Sequence, residues 1–206
     1  MPGQSWKVDL HLHSRFSHDS RTQLEDLVAR CAEVGLDRIA LTDHNTAEGA
    51  LKLQELAPEL AIVGEEVKTT EGEVIGLFIT RSIRPWQRAE EVMDQVHEMG
   101  GLVYLPHPFD RWRSHFLPER VVRLAERIDV IEAYNPWCDA GANLAAEEMA
   151  RDLGKPVGCG SDAHAASELG HSWLEIEPFT SPAEFLERLP RAALRRTAES
   201  GSHRRG

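Results

Sequence analysis

The stretch Ala61-Ile-Val-Gly-Glu-Glu-Val67, followed by Lys68-Thr-Thr-Glu-Gly-Glu73 and then Val74-Ile-Gly-Leu-Phe-Ile-Thr80, decides the fold of this chain. Two apolar runs of strand length are joined by six residues that include a glycine and are too few for a helix, so the pair is predicted as a β-hairpin. Elsewhere, short runs rich in β-formers alternate with amphipathic stretches of helical length, the pattern of βα units around a mainly parallel sheet. The remaining predicted strands are Lys7 to Leu12, Arg38 to Thr42, Leu102 to Leu105, Asp129 to Tyr134, Val157 to Gly160 and Ser172 to Ile176. Predicted helices run from Gln23 to Val34, Ala47 to Glu55, Gln87 to Met99, Pro118 to Glu126, Ala140 to Leu153 and Pro182 to Leu189. Thr22 is placed to cap the first, and Gly35, Gly100 and Gly154 sit where left-handed C-cap residues are wanted. Eight strands is a barrel-sized count. The hairpin breaks strict eightfold repetition, so a distorted α/β barrel or a partly open α/β sheet is expected.

No repeat or shift in composition marks a second domain, so residues 1–190 are expected to form one domain. Residues 191–206 are basic and turn-rich and predict a flexible tail. With 34 acidic residues against 23 basic ones the net charge is −11, which disfavours electrostatic capture of long nucleic acid. No apolar run approaches the roughly 18–20 residues of a membrane span, and the first residues carry no apolar signal segment. A soluble, cytoplasmic protein without a membrane partner is expected. Cys31, Cys138 and Cys159 are odd in number and far apart, which argues against a disulfide framework and against a thiolate zinc site.

Ten histidines are unexplained by any of this, and half of them follow apolar strand runs. In Val8-Asp-Leu-His-Leu-His13, period two places Asp9, His11 and His13 on one face of a strand. Ile39-Ala-Leu-Thr-Asp-His44 ends in a second pair of ligand-type residues, of which alternation admits one; His44 is favoured because its face carries the small Ala40 and Thr42. His107 lies between two prolines, and Gly158, Gly160, Asp162 and His164 share a face if their strand persists. Of the adjacent Glu65 and Glu66, one must point inward, and Asp19 lies in the loop after the first strand. Active sites of α/β barrels collect at the C-terminal ends of strands. Five strand ends loaded with nitrogen and oxygen donors, and no thiolate, point to Zn²⁺, Mn²⁺ or Fe²⁺. Eight candidate donors exceed the needs of one ion, so two or three divalent ions are implied. His18 could compete with Asp19. His97, His115, His171 and His203 read as helix, loop and tail residues.

Asp9-Leu-His-Leu-His13, Asp19, Leu41-Thr-Asp-His-Asn45, Gly64-Glu-Glu66, Leu105-Pro-His-Pro108, Ile131-Glu-Ala-Tyr-Asn135 and Gly160-Ser-Asp-Ala-His164 follow the order seen in the polymerase and histidinol phosphatase (PHP) superfamily. The chain resembles that family from residue 8 to about 177. The resemblance implies a distorted (β/α)7 barrel and a metal-dependent phosphoesterase. It also implies His11, His13, Glu66 and Asp162 around one metal, Glu66 bridging to a second held by His107, and Asp19, His44 and His164 around a third. The chain departs from some members, which have a histidine in place of the Glu132-to-Asn135 stretch and another near Glu73.

Paired divalent ions suit phosphoester hydrolysis because they activate water as hydroxide near neutral pH and neutralise charge in an in-line displacement. His44 or His164, or a water beside them, is expected to protonate the leaving group. Arg111 and Arg113 are candidate phosphate contacts, ahead of Arg15 and Arg84. No Gly-x-Ser-x-Gly elbow and no Walker loop occurs. The leading expectation is a phosphatase or phosphodiesterase acting on a small phosphorylated substrate. A 3'-5' exonuclease or oligonucleotide phosphodiesterase is the alternative, with Trp86, Trp112 and Trp137 as base-stacking candidates and short single-stranded ends as its only nucleic-acid partner. A non-catalytic metal-binding regulatory domain is a third reading, and a carbon–nitrogen hydrolase a remote fourth.

Overall fold

A computed structural model describes residues 5–113 and 116–197. The strands are β1 (Trp6–Leu12), β2 (Arg38–Leu41), β3 (Ala61–Lys68), β4 (Glu73–Leu77), β5 (Leu102–Leu105), β6 (Val130–Tyr134), β7 (Val157–Cys159), β8 (Ser172–Ile176) and β9 (Ala193–Arg196). The helices are α1 (Leu24–Val34), α2 (Glu48–Leu56), α3 (Ala89–Glu98), α4 (Pro118–Leu124), α5 (Ala140–Asp152) and α6 (Pro182–Arg188). All strands form one sheet in the order β7-β6-β5-β4-β3-β2-β1-β8-β9. Pairing is parallel through β1-β2-β3 and β5-β6-β7, and antiparallel where the β3–β4 hairpin interrupts the alternation. At the top of the barrel β1 meets the chain just past β7: Asp162 N–H donates to the His11 carbonyl (2.6 Å) and His13 N–H to that of Ala163 (2.8 Å). The result is a nearly closed, distorted α/β barrel of seven strands, to which β8 and β9 add an antiparallel flank.

The apolar pattern sorts side chains into two layers. Leu27, Ile39, Leu41, Leu53, Met93 and Val96 fill the space between sheet and helices. Val8, Leu10, Ala40, Ile62, Ile75, Tyr104 and Val130 fill the barrel interior. Phe179 and Phe185 plug the interior where β1 and β2 begin, with Trp6 and Arg38 against Phe179. Gly35, Gly100 and Gly154 have φ values of 70°, 75° and 63°, the left-handed conformation their positions require. None of the helices among the described residues is long and apolar enough to cross a membrane.

Four expectations need correction. Thr22 does not cap α1: Gln23 takes the N-cap position, and the Thr22 hydroxyl donates to the His164 carbonyl (3.1 Å), tying α1 to the loop after β7. Residues 193–196 are not tail but strand β9, paired with β8; residues 198–206, with His203, and His115 lie outside the described residues. Strict alternation fails along β1, where the register against β2 slips between Asp9 and Leu12, so that Val8 and Leu10 join the inner layer but Leu12 the outer one. Asp9 therefore parts from the two histidines and accepts the backbone N–H groups of His11 (3.2 Å) and Ser161 (2.9 Å). Nor does β7 persist to His164: it ends at Cys159, and Asp162 turns the chain with φ 50°.

Candidate metal centre

His11, near the end of β1, and His13, one residue beyond it, stand at the mouth of the barrel. Gly160 lets the chain just past β7 cross close to His11; a Cβ there would lie 2.7 Å from the His11 backbone nitrogen. Two further donors are held in left-handed backbone, His107 at φ 27° and Asp162 at φ 50°. Such conformations cost a non-glycine residue about 1–3 kcal/mol and persist only where the surroundings impose them.

Four donor atoms converge. His11 Nε2 lies 3.2 Å from His13 Nε2, 3.3 Å from Glu66 Oε2 and 3.6 Å from Asp162 Oδ1, while His13 Nε2 lies 3.4 Å and 3.2 Å from the same two oxygens. A tetrahedron of nitrogen and oxygen ligands placed about 2.0–2.1 Å from a central ion has edges of about 3.4 Å. Asp162 Oδ1 is buried without a hydrogen-bond partner, although Asp162 Oδ2 takes Asn135 Nδ2 (3.0 Å) and the Arg113 guanidinium. The orphaned oxygen and the edge lengths fit a divalent cation. The other Glu66 oxygen, Oε1, is 3.1 Å from His107 Nε2, so one carboxylate spans two groups of donors.

On the other side, His44 Nδ1 is 3.2 Å from Glu66 Oε2, and Asp19 Oδ2 lies 3.4 Å from His44 Nε2 and 3.0 Å from His164 Nε2. His164 Nδ1 sits 2.8 Å from the Asp162 carbonyl, which can only accept, so Nε2 carries the free lone pair. All eight sequence-predicted donors, His11, His13, Asp19, His44, Glu66, His107, Asp162 and His164, thus meet at one mouth. Glu65 points elsewhere and accepts the Ile83 N–H (2.9 Å); burial pushes its carboxyl up to about 8. His18 lines the cavity but belongs to none of the close donor groups among the described residues.

Burial alone would raise the Glu66 and Asp162 carboxyls, but His11, reinforced by His107 at Glu66 and by Arg113 at Asp162, holds both well below the usual range. Burial would likewise lower His44, yet the hydrogen bond with Asp19 and the charge of Glu66 raise it to about 9. His13 goes the other way, pushed down to about 4 by burial.

Supporting residues were harder to read from sequence. Glu132 sits 3.1 Å from His11 Nδ1 and accepts from the His107 N–H (2.8 Å), the Tyr104 hydroxyl (3.0 Å) and Asn135 Nδ2 (3.0 Å). It turns the other His11 nitrogen toward the centre. The only signal for this was a carboxylate on a strand beside two donor-bearing strands. Of the two candidate phosphate contacts, Arg113 lines a cavity of about 440 Å³ together with His44, Glu66, Lys68, Trp86 and His164. Arg111 does not reach it: its side chain is 72% exposed, lying over the Trp112 ring with Asp139 3.9 Å away. Trp137 does not line the cavity; its Nε1 donates to the Asp162 carbonyl (3.1 Å) from behind.

The structure is a distorted α/β barrel with a cluster of nitrogen and oxygen donors at its mouth. The PHP domain family matches residues 9–107 and the PHP-associated family residues 140–194. An uncharacterized protein of Methanocaldococcus jannaschii is 37% identical over 196 residues, covering 89% of this chain and 78% of that protein. Among solved structures, a two-domain protein of Bacteroides vulgatus described as containing a predicted PHP-like metal-dependent phosphoesterase superposes with a TM-score of 0.75 at 19% identity, over 93% of this chain and 65% of that one. Endonuclease Q, solved with an abasic duplex, superposes with a TM-score of 0.68 at 18% identity, over 89% of this chain and 56% of that one. The chain belongs to the PHP family, whose members are hydrolases acting on phosphoric ester bonds.

Proposed function

We propose that this chain hydrolyses a small phosphate ester, as a phosphatase or phosphodiesterase, with two or three divalent ions of Zn, Mn or Fe held at the barrel mouth. The observation that carries this reading is the four-donor arrangement of His11, His13, Glu66 and Asp162 with the second Glu66 oxygen turned to His107. Asp19, His44 and His164 form the third position. Bound divalent ions supply Lewis acidity toward phosphoryl oxygens and a nucleophile at neutral pH, which explains the lack of any need for a serine or cysteine nucleophile.

The chain's own residues do the rest. Asp162 and Glu66 hold negative charge in a dry site, and Arg113, anchored by Asp162 and by Asp110 (3.4 Å), presents its guanidinium to a phosphoryl oxygen in the cavity. His44 faces the cavity and, with two ions bound, would be placed to deliver the leaving-group proton, as would His164; with three, both would be ligands. The cavity of about 440 Å³ suits a small substrate.

An oligonucleotide phosphodiesterase is the second reading. Trp86, 67% exposed at the cavity rim, is the residue that favours it. A panel of sugar and amino-alcohol monophosphates, nucleoside mono- and bisphosphates and short single-stranded oligonucleotides, run with Mn²⁺-, Fe²⁺- and Zn²⁺-loaded protein, separates the two. Phosphate released from small esters alone supports the first reading, and nucleotides released from oligonucleotide ends support the second. No turnover of any member, with ions bound, would favour a regulatory metal-binding domain.

A further inference from the structure

Lys68 is the last residue of β3, two places after Glu66, so the two side chains share the inner face of the strand. Directly opposite it across the hairpin stands Glu73, whose Oε1 lies 3.2 Å from the Lys68 ammonium. Both residues line the cavity, and donor atoms of His44, Glu66 and Glu73 all lie within 4.8 Å of one another. The backbone of Lys68 is clamped from both sides. Its N–H donates to Asn45 Oδ1 (2.8 Å) and its carbonyl accepts the Trp86 N–H (2.7 Å), and both partners are held in left-handed backbone, at φ 60° and 64°. A partly exposed ion pair contributes about 0–1 kcal/mol and does not by itself account for such a mounting.

Of the described side chains that line the cavity, Lys68 and Arg113 alone carry a fixed positive charge. Arg113 spends its charge on Asp110 and Asp162. An ammonium has three donors and no lone pair, so Lys68 is not a ligand whatever the number of ions. In-line displacement puts the attacking water and the leaving oxygen on opposite sides of phosphorus. His11, His13, Glu66 and Asp162 are buried and set the attack at the floor of the cavity, so the leaving oxygen faces the rim, where the Lys68 side chain is 25% exposed. We propose that Lys68 is a further catalytic residue, whose ammonium hydrogen-bonds the leaving ester oxygen and offsets the negative charge that develops there. This rests on the reading of the chain as a phosphate ester hydrolase. The oxygen of the attacking water bonds to phosphorus, the P–O bond to the alcohol breaks, and its electron pair stays on the ester oxygen. That oxygen takes up a proton in place of the one the water gives up, and the alcohol departs; Lys68 remains an ammonium throughout. Glu73 keeps the flexible side chain pointed along the wall.

The role is read from the leaving group. p-Nitrophenyl and p-nitrobenzyl phosphates are nearly the same size, but the phenolate spreads its charge into the ring and the benzyl alkoxide cannot. Both are supplied as monoesters and as methyl diesters to the full chain loaded with Zn²⁺ or Mn²⁺, with bound ions counted in every sample. Lys68→Met is expected to lower kcat for the benzyl ester about 100-fold or more, the effect of removing a donor from a developing oxyanion, and that for the phenyl ester far less, with ion content unchanged. Lys68→Gln, which keeps a polar end beside Glu73, runs in parallel should the first variant fail to fold, and is expected to show the same contrast. Lys68→Arg keeps the charge and should recover part of the benzyl rate. Equal losses on the two esters, no loss on either, or a loss of ions in step with the rate overturns the inference and leaves the proposed function standing. A wild type that turns over none of the four esters overturns the proposed function and this inference with it.

Discussion

Where β1 and β2 begin, Trp6, Phe78, Phe179 and Phe185 pack their rings edge-on or tilted, with centroids 5.0 to 6.2 Å apart. At the opposite mouth of the same barrel, five histidines and three carboxylates crowd together, with an orphaned Asp162 oxygen and with Asn45, Trp86, His107 and Asp162 in left-handed backbone, against Phe78 alone among the four aromatic residues. The aromatic end gains stability from every contact, since each ring buries area and prefers this geometry. The histidine end is held together against its own preferences by the frame around it. In α/β barrels generally, the first kind of end carries stability and the second chemistry. That division makes separate demands on mutants of the two ends.

The sharpest is at Glu66, whose two oxygens face two donor groups. Glu66→Gln keeps the shape and removes the charge, and should lower kcat/KM for a phosphate ester by roughly a thousandfold or more, the equivalent of about 4 kcal/mol of lost transition-state stabilisation. Urea unfolding of the metal-free variant reads the stability that Glu66 contributes through His11 and His107 separately from this loss. A large drop in stability with activity retained would break the comparison at its functional end.

Phe185→Ala is the mirror image. The side chain is fully buried between Phe78 and Phe179, and its removal should cost about 3–5 kcal/mol. Activity per folded molecule, measured well below the melting temperature, should stay near wild type. Loss of activity in proportion greater than the unfolded fraction would show that the plug also shapes the mouth.

The two ends were also unequally legible. The β3–β4 hairpin and the gathering of candidate donors at strand ends could be read because a six-residue connection and ligand-type residues at strand termini are local patterns, although alternation left Glu65 and Glu66 open and only the family resemblance chose Glu66. The sequence hid what depends on register. Alternation grouped Asp9 with His11 and His13, but the one-residue slip in β1 uncouples them, and no local feature of Val8-Asp-Leu-His-Leu-His13 announces a bulge. It assigned Thr22 to α1, when the hydroxyl serves a loop some 140 residues away in sequence. It gave the aromatic plug no special place, because Phe78, Phe179 and Phe185 come together only through the closure of the barrel. Glu132 is the intermediate case: its strand was plain, its partner was not.

Glu132→Gln therefore probes how far the functional end reaches into the barrel interior. It leaves the volume intact but weakens the hold on His11 Nδ1 and on the His107 N–H. Metal affinity should fall about 10- to 100-fold, read by titration with Zn²⁺ or Mn²⁺. An unchanged affinity would confine the functional end to the donors themselves.

The smallest effects trace its outer edge, and a pair of arginines two residues apart draws it. Arg113 reaches into the cavity on the carboxylates of Asp110 and Asp162, whereas Arg111 lies over Trp112 in solvent. A charge-assisted hydrogen bond to a phosphoryl oxygen contributes about 1.5–3 kcal/mol, so Arg113→Ala should raise KM for a phosphate ester about tenfold or more. Its loss also leaves Asp162 Oδ2 to Asn135 alone, so metal content must be measured beside KM to separate substrate contact from donor placement. Arg113→Lys retains the charge but loses the planar fork, and should recover metal content better than KM. Arg111→Ala, by contrast, removes an exposed side chain whose ion pair is stretched to 3.9 Å, and KM, metal content and unfolding midpoint should all remain within about twofold or 0.5 kcal/mol of wild type. Equal effects at 111 and 113 would mean that the loop acts on substrate as a whole and that the boundary drawn by burial is the wrong one.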